Sequence, residues 1–308
     1  MSSRPRAHLD ISVRDRLLAI AKREGRDFNV ILNLYYQERL LARLAASAYH
    51  DHFVLKGGLL LYALAIEGKQ QFARPTKDID LRGGGIGNDA DGLRAIFANV
   101  CILDMPDGVS FDAAGVTAEH VAEDAMYHGV RLHIPVSLAQ ARGRIRVDIG
   151  FGDVITPGPW EMTLPVLLPD ISAPRLLVYS LETVVAEKFE AMLSLSLINT
   201  RMKDFFDVYQ LASAYSFDGA VLVEAIRGTC GRRGTPFTPD PPVLQEPFGL
   251  DLTRQRQWDA FLTRGRLVGS PRRLQDVMRL LRAFLGPLYA ACLTDIAFSA
   301  RWSPSDLH

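Results

Sequence analysis

The spacing of apolar residues changes along the chain, first following a helical period and then breaking into short runs. From residue 10 to about residue 50, apolar residues recur every three or four positions. Gly25 interrupts them, which predicts two helices. Three shorter segments come next: HFVLKGG predicts a strand closed by two glycines, LLLYALAI a helix, and KDIDLRGGG a second strand that ends in glycines. The chain therefore enters a sheet only after its first two helices.

Two runs of alternating apolar and polar residues follow a helix predicted at about residues 93–101. The runs are GVRLHIPVSL and GRIRVDIGFGD, and the short polar stretch between them predicts an antiparallel pair. In the second run Arg144, Arg146 and Asp148 share one face, because side chains on a strand alternate between the two faces. The order helix, helix, strand, helix, strand, helix, strand, strand predicts an α+β fold with a mixed sheet.

The rest of the chain is predicted to be helical. Prolines break the periodicity between about residues 156 and 174, and SLETVVAEKFEAMLSL then predicts a helix capped by Ser180. A second helix covers RMKDFFDVYQLASAY. The proline-rich stretch GTPFTPDPPVLQEPFG predicts a linker or an irregular surface segment, and the last block is helical again. We therefore predict an α/β domain over residues 1–170 and a helical domain over residues 171–308.

Composition and charge are those of an ordinary soluble globular protein. Of the 308 residues, 48% are hydrophobic and 23% charged, and 35 basic residues balance 35 acidic ones. A nucleic-acid partner therefore cannot be inferred from net charge, but only from local clusters. Residues 254–282 hold such a cluster, with eight arginines against Asp259 and Asp276, which predicts a phosphate-binding basic surface. The alternative is an ordinary solvated helix face.

Three features of the sequence predict a cytoplasmic protein without a membrane contact. The cysteines are odd in number and widely spaced, which is typical of a reducing compartment. The basic N-terminus is not followed by the apolar segment of a secretory signal. The longest apolar stretch near the C-terminus carries Arg279, Arg282 and Pro287, which do not suit a membrane span.

Asp78 and Asp80 stand inside a predicted strand, where a carboxylate is costly unless a cation pairs with it. At positions i and i+2 the two side chains point to one face, and their charges repel unless a divalent ion lies between them. Mg²⁺ prefers a few carboxylates together with phosphate oxygens and water, so the pair suits a metal–nucleotide site. The pattern alone is common, and on a surface strand the two acids would simply be solvated.

Two neighbouring features strengthen the metal–nucleotide interpretation. Gly57 and Gly58 directly precede a predicted helix, and bare backbone N–H groups at a helix N-terminus bind phosphate readily. A third acid, Asp148, lies on a neighbouring predicted strand. Three acids and a glycine turn at one end of a sheet form the layout of two-metal phosphoryl or nucleotidyl transfer.

Six segments, taken together and in order, resemble the AbiEii-type nucleotidyltransferases, which include the toxins of AbiE-like and MenT-like toxin–antitoxin pairs. The resemblance covers roughly residues 28–215. Its segments are FNVILNLYYQERLLARLAAS, FVLKGGLLLY, RPTKDIDLR, VDIGFGDVITPGP, LETVVAEKFEAM and RMKDFFDVYQL. It implies a nucleotidyltransferase α/β domain followed by a largely helical remainder.

The resemblance also implies roles for the residues that match the family's motifs. Gly57 and Gly58 would hold the triphosphate of a nucleotide. Asp78 and Asp80 would bind Mg²⁺, with Asp80 as the indispensable ligand. Lys188 matches a lysine of the helical part that would neutralise the nucleotide phosphates.

Further residues are candidates for the same site. The family's last motif uses an acid after the lysine, and Asp204 and Asp207 both qualify, with Asp204 preferred. Asp148 fits the third acid of the wider nucleotidyltransferase fold. Lys56 would add positive charge at the phosphates, and Arg74 would either steady the loop before the aspartates or touch a phosphate.

The alternative for the helical candidates is an exposed surface. Lys188 would then lie at the solvated end of an amphipathic helix. Asp204 and Asp207 would flank Lys203 in surface pairs, which contribute little to stability. The burial of these side chains decides between the two interpretations.

The function that the resemblance implies is a toxin that transfers a nucleoside monophosphate from an NTP to RNA, with Mg²⁺ as cofactor. The acceptor is often the 3′ end of tRNA, which can then no longer be charged, so that translation stops. A cognate antitoxin protein is the implied partner. The alternatives are transfer to a protein or small molecule, and nucleotide binding without turnover. The arginine-rich stretch favours RNA, because a small-molecule acceptor needs no extended cationic surface.

Overall fold

The computed structural model of the chain describes residues 8–68, 74, 76–124, 127–267, 270–294 and 297–304. Backbone contacts divide the chain into two compact units. The first unit consists of Met1–Lys69, Pro75–Gly152 and Trp160–Val178, and the second of Gln70–Arg74, Asp153–Pro159 and Tyr179–His308. The boundary proposed from the sequence at residue 170 stays a prediction.

Among the described residues, the first unit contains four α-helices and eight strands. The helices are α1 (Leu9–Glu24), α2 (Phe28–Ala45), α3 (Gly57–Glu67) and α4 (Ala90–Cys101). The strands are β1 (Phe53–Lys56), β2 (Asp78–Gly83), β3 (Val109–Phe111), β4 (Thr117–Asp124), β5 (Tyr127–Leu138), β6 (Ala141–Phe151), β7 (Trp160–Thr163) and β8 (Arg175–Val178). The two N-terminal helices, the break at Gly25 and the helix after β1 are confirmed.

The eight strands form one mixed sheet in the order β3-β5-β6-β2-β1-β8-β7, with β4 paired to β5. β2 is parallel to β6 and antiparallel to β1. β5 and β6 are antiparallel, in a register that runs from Val130 opposite Ile149 to Leu138 opposite Ala141. The predicted α+β class, the mixed sheet and the antiparallel pair are therefore confirmed.

Four strands of the first unit were not predicted from the sequence. β7 and β8 have four residues each and lie in the segment where prolines hide any periodicity. β4 is polar along much of its length, and β3 has only three residues. Short or polar strands at the margin of a sheet lack the half-buried alternation by which strands are recognised in a sequence.

One face of the sheet is apolar and buried. Ile79 and Leu81 of β2 and Val147 and Ile149 of β6 are at most 1% exposed. The residues between them on both strands are only half-buried, and they are polar or glycine. Because side chains alternate along a strand, burying the apolar set fixes the orientation of the polar set on the opposite face.

The second unit is mainly helical. Among its described residues are the helices α5 (Leu181–Leu195), α6 (Met202–Ala214), α7 (Gly219–Arg233), α8 (Glu246–Leu250), α9 (Leu252–Gly265) and α10 (Leu274–Thr294), and the strand pair β9 (Phe217–Asp218) and β10 (Arg301–Trp302). Ser180 caps α5 by accepting a hydrogen bond from the Thr183 N–H, as predicted. The proline-rich stretch is irregular apart from short helical turns.

By length and composition alone, one helix in the described part of the chain, α10, could cross a membrane. Half of its most apolar window is buried within the protein. Residues such as Val277, Leu281 and Leu285 are 0% exposed, which is also the behaviour of a core helix.

Candidate active site

Three charged residues lie side by side across β1, β2 and β6. Asp80 of β2 is in register with Lys56 of β1 on one side and with Asp148 of β6 on the other. Asp78 lies on the same face as Asp80, because Ile79 between them is buried in the core. The sheet thus brings together four of the predicted site residues.

Gly57 allows the carboxylate of Asp80 to lie against the first residues of α3. The Gly57 backbone has a φ of +69°, which residues with a side chain rarely adopt. A Cβ at this position would lie 2.0 Å from Oδ2 and 2.8 Å from Cβ of Asp80. Glycine is therefore required at position 57 for two reasons, the backbone turn and the carboxylate next to it.

The N-terminus of α3 presents its backbone N–H groups beside this carboxylate. The Gly58 N–H donates to Asp80 Oδ2 over a long distance of 3.4 Å, and the side chain of the N-cap residue, Lys56, makes no capping hydrogen bond. The positive end of a helix attracts anions such as phosphate. A phosphate here would be repelled by Asp80 unless a cation lay between them, so the geometry suits a nucleotide that binds together with a metal ion.

Asp148 is held by an arginine that the sequence analysis missed. Arg131 on β5 donates from Nε and Nη2 to the two carboxylate oxygens of Asp148, at 2.7 Å and 3.0 Å. The hairpin itself contains the signal that predicts this pair. Leu138 is opposite Ala141, and counting seven residues away from the turn on each strand leads to Arg131 and Asp148.

Arg146 on β6 connects two of the acids. Its Nη2 donates to Asp78 Oδ2, and its Nε lies 3.6 Å from Asp148 Oδ2. The side chains of Arg146, Asp78 and Asp148 are 39%, 26% and 15% exposed, so these ion pairs remain in contact with solvent. In the structure, the two arginines thus compensate the charges of Asp78 and Asp148.

The donor chemistry of Asp78 and Asp80 fits Mg²⁺. The described residues contain no group of three or more Asp, Glu, His or Cys arranged to hold a metal ion. Mg²⁺ is usually held by one or two carboxylates, with phosphate oxygens and water as its other ligands, so a pair of carboxylates is sufficient. Asp148 fits less well, because Arg131 occupies both of its oxygens. Its role as a metal ligand stays a prediction.

In the second unit, Lys188 of α5 lies between two acids of α6. Its Nζ donates to Asp207 Oδ2 at 2.7 Å and to Asp204 Oδ1 at 3.1 Å. The lysine side chain is 12% exposed, and those of Asp204 and Asp207 are 1% and 3% exposed. The alternative of an exposed surface is therefore wrong for these three residues.

Each acid of this cluster contacts a second cation. Arg74 donates from Nη2 to Asp207 Oδ2 at 3.2 Å, and Arg201 Nε lies 2.7 Å from Asp204 Oδ2. Arg74 therefore pairs with one of the predicted acids. Because both acids contact Lys188, the geometry leaves the choice between Asp204 and Asp207 open.

In this cluster, the effect of neighbouring opposite charges on the pKa values is larger than the effect of burial. Burial alone would lower the pKa of Lys188, but the attraction of Asp207 and Asp204 outweighs it and raises the pKa above its ordinary value. Burial alone would raise the pKa of Asp207, but Lys188 and Arg74 outweigh it and the pKa is lowered. Both groups are therefore charged at neutral pH.

Comparison with known proteins identifies the family. Residues 39–280 match the family described as nucleotidyl transferase AbiEii toxin, Type IV TA system, which is well over half of the chain. The chain belongs to the AbiEii family. This confirms the resemblance found in the sequence. The matched region of this AbiEii chain includes every predicted site residue, from Lys56 to Asp207, and most of the arginine-rich stretch.

Two solved structures from Helicobacter pylori are similar to the AbiEii chain. One is a candidate nucleotidyltransferase, with 13% identity, a TM-score of 0.49 and coverage of 88% of this chain and 100% of the other. The second is JHP933, with 14% identity, a TM-score of 0.46 and coverage of 87% and 95%. No curated protein sequence matches the chain.

Proposed function

We propose that the protein is the toxin of a toxin–antitoxin system. It transfers a nucleoside monophosphate from an NTP to an RNA acceptor, the 3′ end of tRNA, in a Mg²⁺-dependent reaction. Extending this end stops aminoacylation and so blocks translation in the cytoplasm. Its partners are tRNA and a cognate antitoxin, in keeping with the toxin–antitoxin description of the family.

The observation that supports nucleotidyl transfer most directly is the position of Asp80. Its carboxylate packs on Gly57, beside the N–H of Gly58 and in register with Lys56. A carboxylate next to the N-terminus of a helix places a metal-binding oxygen beside a phosphate-binding group. A site with that pair of properties suits the triphosphate of an NTP and its metal ion.

The residues of the first unit have two proposed roles, phosphate binding and metal binding. The backbone N–H groups of Gly57 and Gly58 bind phosphate oxygens, and Lys56 adds positive charge to the same row. Asp78 and Asp80 would hold Mg²⁺, which when bound neutralises charge that develops on the phosphates. In the structure Asp78 Oδ2 accepts a hydrogen bond from Arg146, which would compete with the ion for that oxygen.

We propose that the Lys188 cluster of the second unit is also required for transfer. Lys188 and one of the two acids, Asp204 or Asp207, match the family's motifs in sequence. The proposal is supported by the contacts of Lys188 with both acids, whose charges raise the pKa of the lysine. A fixed, charged lysine is suited to stabilising phosphate charge in a transition state.

The test is an assay with purified protein, total tRNA, Mg²⁺ and each of the four NTPs in turn, labelled at the α-phosphate. We expect label on tRNA and release of pyrophosphate. Label on protein or on a small molecule in a cell extract, with none on tRNA, would support the other acceptors. Nucleotide binding without any transfer would mean that the protein is a binding module.

Asp80→Ala should lower the rate of transfer by at least about 10³-fold, which corresponds to about 4 kcal/mol of lost transition-state stabilisation. Its free energy of unfolding should stay within about 1 kcal/mol of the wild-type value, because the site is half-exposed. Asp91→Ala, whose side chain is 93% exposed, is the control and should be fully active. A fully active Asp80→Ala variant would refute the assignment.

A further inference from the structure

Eight of the eleven described residues that line a cavity of about 600 Å³ in the second unit have polar or cationic side chains. Five cations line it, from three separate parts of the chain: Arg74, Arg201, Lys203, Arg256 and Arg264. In the part of the chain that the structure describes, no Asp or Glu belongs to the lining. This cavity, hereafter the cationic pocket, differs in charge from the acids Asp78, Asp80 and Asp148 of the first unit, hereafter the acidic row.

One face of α9 forms a wall of the cationic pocket. The wall residues recur every three or four positions: Thr253, Arg256, Gln257, Ala260, Phe261 and Arg264. Trp258 and Leu262 between them are at most 2% exposed and anchor the helix in the core. The wall therefore has a fixed orientation, with Arg256 and Arg264 about 12 Å apart along the helix axis.

The first turn of α6 forms a second wall. Arg201, Met202 and Lys203 line the pocket here, and the side chain of the N-cap residue, Arg201, makes no capping hydrogen bond. The positive end of α6 therefore adds to the charge of the side chains. The pKa of Lys203 is lowered, mainly by partial burial and secondly by the positive charge of Arg201.

The acids beneath the pocket do not neutralise it. Asp204 and Asp207 are buried, and they already share Lys188 and pair with Arg201 and Arg74. Among the described residues, no ion pair links Lys203, Arg256 or Arg264 to an acid. Positive charge without a protein partner favours an anionic ligand.

The pocket divides the arginine-rich stretch into two groups. Arg256 and Arg264 face the cavity. Arg273 and Arg279 instead share the carboxylate of Asp276, at 2.9 Å from each. Only part of the charge of the stretch is therefore available to a ligand at the pocket.

We propose that the cationic pocket binds the phosphate backbone of the acceptor RNA, an inference that rests on the proposed function. Cations spread over about 12 Å match several successive phosphates, since one nucleic-acid strand carries a phosphate about every 3.4 Å along a helix. The half-buried ring of Phe261 between the two arginines offers a surface on which a base can stack. A compact triphosphate would not need a wall of that length.

The test measures binding of fluorescently labelled tRNA by anisotropy, with EDTA and without NTP. The variants are Arg256→Gln/Arg264→Gln and, as matched control, Arg273→Gln/Arg279→Gln, so that each loses two arginines from the same stretch. We expect the first variant to raise the Kd at least about tenfold. The slope of log K against log[salt] should become shallower by about 1.5 to 2. The control should change the Kd less than about twofold.

Three outcomes would overturn the inference: equal losses in the two variants, no binding of tRNA to the wild type, or weaker binding of NTP and inorganic triphosphate with unchanged binding of tRNA. The last outcome would assign the pocket to the nucleotide.

Because the binding assay contains no NTP, its result is independent of turnover. If the pocket variant loses tRNA binding but the wild type transfers nothing, the proposed function fails and the pocket assignment stands. If the wild type transfers to tRNA and the pocket variant transfers equally well, the proposed function stands and the pocket assignment fails.

Discussion

The two clusters of candidate residues stabilise their negative charges in opposite ways, one by contact with solvent and the other by a partly buried lysine. The acids of the first unit are partly open to solvent, with side chains of Asp78 and Asp148 26% and 15% exposed. Those of the second unit, Asp204 and Asp207, are at most 3% exposed and depend on Lys188. Water can stabilise the first pair of charges but not the second.

This difference predicts how each cluster responds to mutation. Removing one partner from a buried ion pair leaves an uncompensated charge, which costs far more free energy than losing a solvated pair. Changes in the acidic row should therefore affect transfer more than stability. Changes in the Lys188 cluster should affect both transfer and stability. A loss of activity in such a variant therefore has to be compared with its free energy of unfolding.

The largest effect on stability is expected for Lys188→Met, which leaves two buried acids without their shared cation. The free energy of unfolding should fall by about 3 to 5 kcal/mol, measured by urea denaturation. Lys188→Met combined with Asp207→Leu should recover part of the loss, because the second change removes one of the two buried negative charges that Lys188 balances. A loss below about 1 kcal/mol in the single variant would contradict the buried-pair interpretation.

The pH dependence of stability should report on the same cluster. The pKa of Asp207 is lowered from 3.8, so its contribution is fully present above that pH and is lost as the pH falls through the folded-state value. The pKa of Lys188 is raised from 10.5, so its contribution is lost only as the pH rises above that value. Asp207→Asn should show a shallower loss of stability below about pH 4 than the wild type.

A smaller effect is expected for Gly57→Ala, for which Gly25→Ala is a matched control. Both glycines have positive φ, +69° and +61°, so both variants carry the backbone cost of about 1 kcal/mol. Nothing lies within 4 Å of a Cβ at Gly25, whereas one at Gly57 would meet Asp80. Gly57→Ala should therefore be about 1 to 2 kcal/mol more destabilising and should also impair transfer.

A double-mutant cycle tests the cause of the Gly57 effect. In an Asp80→Ala background the carboxylate is gone, so the additional penalty of Gly57→Ala over Gly25→Ala should shrink. An unchanged penalty would mean that the turn itself, and not the carboxylate, requires glycine at this position.

The smallest effect is expected for Arg131→Gln. The pair with Asp148 is partly exposed, with side chains 24% and 15% accessible, so its loss should cost only about 1 kcal/mol of unfolding free energy. Transfer should fall less than about tenfold, because Asp78 and Asp80 remain. Arg279→Gln, in a surface pair with Asp276, is the control and should change stability by less than about 0.5 kcal/mol. Loss of transfer comparable to Asp80→Ala would instead indicate that the position of Asp148 is critical.

Much of the first unit could be predicted because its elements carry strong local signals. The alternation of β2 and β6 placed Asp78, Asp80 and Asp148 on one face, and the structure agrees. Arg131 was not among the predicted site residues, because alternation within one strand does not identify the partner of Asp148 on the next strand, whereas the register of the hairpin does. The burial of Asp204 and Asp207 was not predictable, since a helix of mixed composition does not reveal which face another helix covers.

The sequence by itself determined the family, the α+β class and the residues of the acidic row, because the period of a strand and short motifs are properties of neighbouring residues. Only the tertiary structure decided which charges are paired. Lys188 meets Asp204 and Asp207, and Arg256 and Arg264 share a pocket with Lys203. Such contacts join residues distant in sequence, and the free energy of a charge depends on burial and on neighbours that packing alone supplies.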